Sequence, residues 1–141
     1  MTKLGSIIAA SLVCAVLAGC GTKPEDVASD FIDAMCAKDY SKASELTSPD
    51  VISQIWLQVR IDTRDTRKET EEFFGSIKSY SINKVAKTGD FSIVAFDVTF
   101  ENGNTEERFV IIHSGDDDGV KVAIPGLYSD EQLARLPYIF N

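Results

Sequence analysis

Few residues in this chain have the type and spacing to do chemistry, and they fall into four groups. Leu17-Ala18-Gly19-Cys20 closes an apolar run with two small residues and a thiol, which suits a peptidase site whose cysteine then becomes the N-terminus and accepts acyl chains. His113 is the only histidine, so any imidazole general base must be this one. Glu107 lies in an alternating segment where its carboxylate could stand at the mouth of a pocket, or bend into water at a hairpin end. Asp116-Asp117-Asp118-Gly119 hints at calcium, but Val120 and Lys121 occupy positions where a binding loop needs oxygens, so the run reads as a polar hairpin loop. There is no Cys/His cluster with zinc spacing and no glycine-rich phosphate loop. No serine or cysteine nucleophile has a base to draw on except His113. The expectation is a protein without catalytic residues, metal or cofactor.

The leader has the layout of a secretory signal: Lys3 supplies a positive start, and Ile7 to Leu17 is an apolar stretch too short for a bilayer, which needs about 20 residues. With its cysteine it resembles the lipobox of bacterial lipoproteins. That reading divides the chain into a cleaved signal peptide over 1–19, a lipid-anchored tether over 20–23 with Cys20 as the acylated residue, and one domain over 24–141. Gly21 follows the cysteine where an aspartate would favour retention at the inner membrane. In a Gram-negative envelope the expected place is therefore the outer membrane, facing the periplasm.

Cleavage leaves 122 of the 141 residues, enough for one core and too few for two. The net charge of -8 becomes about -9 without Lys3, a balance that repels phosphate backbones and makes nucleic acid an unsuitable partner. Cys14 leaves with the leader and Cys20 carries lipid, so Cys36 has no intramolecular partner and reads as a half-buried, inert thiol.

The elements that must position these residues follow from periodicity. Pro24 suits a first helical turn, Thr22 and Glu25 have capping-box spacing, and Val27, Phe31, Ala34 and Met35 form one face of a helix reaching about Lys38. Tyr40 to Leu46 is a second short helix. Ser48-Pro49-Asp50 starts a third with the apolar set Val51, Ile52, Ile55, Trp56 and Val59, in which Trp56 reads as a packing anchor. Charges of both signs from Arg60 to Glu72 place Arg67 with Glu71 and Lys68 with Glu72 on a solvated helix or helix-loop-helix ending at Phe73-Phe74-Gly75.

From Ile77 the period changes to two. A strand over 79–87 turns at Thr88-Gly89-Asp90 into the stripe Val94, Phe96, Val98 and Phe100, and Asn102-Gly103 is a strong hairpin signal. Taking those two as the whole loop pairs Phe96 with Phe109, Val94 with Ile111 and Asp97 with Arg108, and puts Glu107 across from Val98 on the stripe face. His113 then lies on that face beside Ser92 and Val120. Val122 and Ile124 continue the pattern opposite Ile111 and Phe109, Pro125-Gly126 ends the last strand, and Ser129 to Leu136 makes a terminal helix before the apolar tail at Tyr138, Ile139 and Phe140. The fold class is α+β, with N-terminal helices packed on a curved antiparallel sheet of about four strands. The expected pocket residues are Phe31, Trp56, Val94, Phe96, Val98, Phe109 and Ile111, with Glu107.

The helical rhythm Pro24-Glu25-Asp26-Val27 … Phe31 … Lys38-Asp39-Tyr40-Ser41-Lys42-Ala43-Ser44-Glu45-Leu46, followed by Asp118-Gly119-Val120-Lys121-Val122, resembles an uncharacterised bacterial lipoprotein domain. In that family a tryptophan often follows the glycine where this chain has Val120, and the family falls in the nuclear transport factor 2-like, or cystatin-like, group. The resemblance implies a cone-shaped domain with a pocket between helices and sheet. Members of the group are binding modules, assembly domains or, less often, enzymes, so fold does not decide function. The expected function is a non-enzymatic envelope lipoprotein that binds a small apolar ligand or an envelope protein. The alternatives are a hydrolase or isomerase using Glu107 or His113, and a structural or inhibitory interaction protein.

Overall fold

Pro24 occupies the first turn of helix α1, Pro24–Cys36, where its missing N–H is not needed. The computed structural model describes residues 22–62, 64–116 and 119–135. Lys23 and not Thr22 stands at the N-cap, and it makes no side-chain cap bond. The expected face of α1 is buried: Val27, Ala28, Phe31, Ile32, Ala34 and Met35 all point into the core. Asp39 then caps α2, Tyr40–Leu46, accepting from the Lys42 N–H at 3.2 Å.

Helix α3, Val51–Asp62, departs from the expected setting at three of its five apolar residues. Among its described side chains Ser53 and Leu57 are buried, while Val51, Ile55 and Trp56 are exposed at 72%, 56% and 42%; the side chains of Ile52 and Val59 lie outside those described. The cause is polar: the Ser53 hydroxyl donates to the Ala123 carbonyl, and a buried backbone oxygen with a partner outweighs an extra exposed valine. Helix α4, Arg64–Gly75, carries the expected i,i+4 ion pairs, Arg67 with Glu71 at 3.5 Å and Lys68 with Glu72 at 3.9 Å.

Four strands follow, β1 Ile77–Thr88, β2 Phe91–Phe100, β3 Thr105–Asp116 and β4 Gly119–Tyr128, pairing in chain order in one antiparallel sheet. Helix α5, Asp130–Ala134, closes the described chain behind a Ser129–Gln132 capping box. The α+β architecture is the expected one, but the register of its central hairpin is not. Thr99 pairs with Thr105, and Phe100 N–H donates to Asn104, so the loop is the three residues Glu101-Asn102-Gly103, with Gly103 at φ +90. This is the turn-plus-bulge solution in which glycine takes the left-handed position. The added residue moves β3 by one, so that Phe96 faces Arg108, Asp97 faces Glu107 and Val94 faces Val110.

A one-residue shift sends every side chain of a strand to the other face. Val94, Phe96, Val98 and Phe100 keep their place against the helices, joined by Val110, Ile112 and Val122. Ile111 and Ile124 instead form a second cluster with Ala123 and Tyr128 on the sheet's other face, where Leu133 of α5 packs. Phe109, in phase with Ile111, shares that face. Strand β4 does not end at Pro125-Gly126. Those residues form a bulge between the Ile111–Ile124 and Phe109–Tyr128 pairs, which an edge strand tolerates because it has a free side.

Candidate functional site

The space between helices and sheet is filled at its centre and open at one end. Phe31, Val94, Phe96 and Val98 are fully buried and plug the middle of the cone. Toward the end where α4, β3 and α5 meet, a cavity of about 350 Å³ remains. Its apolar wall is Trp56, Phe73, Phe74 and Leu127, and its polar wall is Thr66, Glu69, Thr70, Arg108, Tyr128 and Gln132. Trp56, one of the expected pocket residues, is 42% exposed and lines this cavity.

Phe109, Ile111 and Glu107 are removed from this cavity by the register. Glu107 sits opposite Asp97, and the like charges are bridged by Asn83, whose amide donates to Glu107 at 2.8 Å and Asp97 at 3.4 Å. His113 pairs with Phe91 instead of Ser92, with the two rings edge to face at 4.9 Å. Neither Glu107 nor His113 lines the cavity. Cys20 and the tail at Tyr138, Ile139 and Phe140 lie outside the described residues, as do Asp117 and Asp118 of the acidic loop.

Arg108 is the residue that the sequence reading missed, having placed it on the far face with Asp97. It projects on the helix side of β3, with Cζ 5.3 Å from the Phe73 ring centroid and 5.7 Å from that of Phe100, within cation–π reach. Its Nη2 donates to Glu106 at 2.7 Å, while its buried Nε has no acceptor among the described residues. No local signal could have found it, because Phe109-Val110-Ile111-Ile112 is apolar at every position and leaves the phase of β3 to the turn before it.

Two half-buried groups next to the core explain how α1 is held. Tyr80 reaches from β1 to the Ser29 carbonyl at 3.1 Å and donates to the Asp33 carboxylate; burial first, and that bond second, raise its hydroxyl above the ordinary tyrosine range. The Cys36 thiol lies 3.5 Å from the Phe74 carbonyl, and burial, then the Asp33 charge, push it from 9.0 up to about 11. The neutral thiol is thus the form favoured by folding, so its contribution is complete below pH 9 and declines as pH rises through about 11. Because the thiolate is the nucleophile, Cys36 is expected to alkylate at pH 8 about a hundredfold more slowly in the folded chain than in urea. Peptide-resolved mass spectrometry after iodoacetamide treatment measures this, and equal rates would contradict it.

No protein-family profile matches the chain, and no curated protein matches it. Among solved structures it is similar to one from Campylobacter jejuni described as an NTF2-like transpeptidase, with 14% identity and a TM-score of 0.49 over 74% of this chain and 100% of that one. A likeness of that size says nothing about activity.

Proposed function

We propose that the chain is a membrane-anchored envelope lipoprotein whose domain binds a small, largely apolar ligand without transforming it. The observation that carries this reading is the cavity of about 350 Å³ left beside a filled core and walled by Trp56, Phe73 and Leu127. Its volume is within the range of ligand sites, about 300–1,000 Å³, and its mix of an apolar wall with a few polar groups is what such sites use to fix orientation. The anchoring half of the reading rests on Leu17-Ala18-Gly19-Cys20 and on the apolar stretch before it.

The test is native mass spectrometry of the protein extracted from its own membranes in mild detergent, before and after incubation with a lipid-soluble cell extract. A discrete bound molecule, lost in Trp56→Ala, is the expected result. A wild-type chain that retains nothing in either condition would contradict the reading.

A further inference from the structure

We infer that the ligand of this cavity carries a single carboxylate and that Arg108 is its anchor, an inference that rests on the reading of the cavity as a ligand site. The observation is a mismatch between where the charge lies and what satisfies it. The Arg108 side chain keeps only 16% of its exposure, whereas its partner Glu106 keeps 48%. A guanidinium is seldom taken that far from water without a full set of acceptors, because an incompletely paired buried charge destabilises the fold. Here Nη2 finds Glu106 at 2.7 Å, and Nε, shut off from solvent, finds no acceptor among the described residues.

Phe73 and Phe100 hold the guanidinium in place, so its orientation is set before any ligand arrives. A carboxylate draws on the terminal Nη donors that Glu106 leaves unused, since Nε is closed to a ligand as it is to water. The Glu106 pair is a weak competitor, since half-exposed ion pairs contribute little. Behind the carboxylate, an apolar body fits against Trp56, Phe73 and Leu127. The number of charges is limited by the rest of the protein: Glu69 is exposed at the rim of the cavity and the chain carries a net charge of -8, so dianions and polyanions are repelled.

The experiment uses the full chain in phosphatidylcholine vesicles and equilibrium dialysis of 4-phenylbutyrate against the neutral 4-phenylbutan-1-ol, with protein-free vesicles as the blank. The acid is expected to bind about tenfold or more tightly than the alcohol, the factor a charge-assisted hydrogen bond supplies. Arg108→Met should bring the acid down to the affinity of the alcohol. Glu106→Gln, a change at a half-exposed site, should tighten the acid severalfold, and it keeps the test decisive if Arg108→Met fails to fold by circular dichroism. An alcohol that binds as well as the acid overturns the carboxylate assignment and leaves the ligand cavity standing. Acid binding that survives Arg108→Met, or is unmoved by Glu106→Gln, overturns the anchor. Binding of neither compound overturns the inference as well, and the retained-molecule measurement then decides separately whether the cavity reading falls with it.

Discussion

Phe96→Ala is expected to destabilise the domain by about 3–5 kcal/mol, a large part of the 5–15 kcal/mol that holds an ordinary domain folded. Phe96 is fully buried at the centre of the helix side of the sheet and meets Tyr80 edge to face at 5.6 Å, so its removal leaves a cavity that the surrounding strands are too well paired to close. Urea denaturation followed by circular dichroism measures the loss, and a change below 1 kcal/mol would contradict the core as described. A milder pair tests the register. Phe96 and Phe109 stand on opposite faces, so the costs of Phe96→Leu and Phe109→Leu should add to within about 0.5 kcal/mol in the double variant. Had the two rings faced each other across the hairpin, the double variant would show a coupling of about 1 kcal/mol.

Cys20→Ser is expected to move the protein from a membrane pellet to the soluble fraction, or to leave it as an uncleaved precursor, and in either case to abolish labelling by palmitate. The effect is close to all-or-none because each buried methylene contributes about 0.8 kcal/mol and two or more chains hold a protein firmly, while the net charge of -8 is repelled by anionic headgroups. Among the described residues no helix is long and apolar enough to cross a membrane. Palmitate labelling that persists in the variant would refute acylation at this thiol.

Much of the scaffold was legible because its signals were local and agreed with one another. Asp39 before Tyr40–Leu46 and the charge pairs of α4 fix those helices without reference to anything distant, and four alternating residues from Val94 to Phe100 carry their own phase. Legibility failed where a signal had two solutions. Phe109-Val110-Ile111-Ile112 is apolar at every position, so it has no phase of its own and inherited whatever register the turn was given. The turn itself was read from Asn102-Gly103, which fits both a two-residue loop and a three-residue loop with glycine last. That single choice sent Glu107 into the pocket and Arg108 out of it, the reverse of what the structure shows. Helix α3 failed for another reason, since periodicity weighs valine and isoleucine above serine, and the Ser53 bond to β4 depends on a strand seventy residues away.

The decisive question is which side of the sheet a ligand enters. Nuclear magnetic resonance of isotopically labelled protein, titrated with a lipid-soluble extract of the cells that make it, tests this most directly, because the indole N–H of Trp56 is a single signal in the chain. Shifts confined to Trp56, Thr70, Phe73, Arg108 and Leu127 are the predicted result. Shifts gathered instead at Asn83, Asp97, Glu107 and His113, with the Trp56 signal unmoved, would place the binding surface on the opposite face and contradict the account.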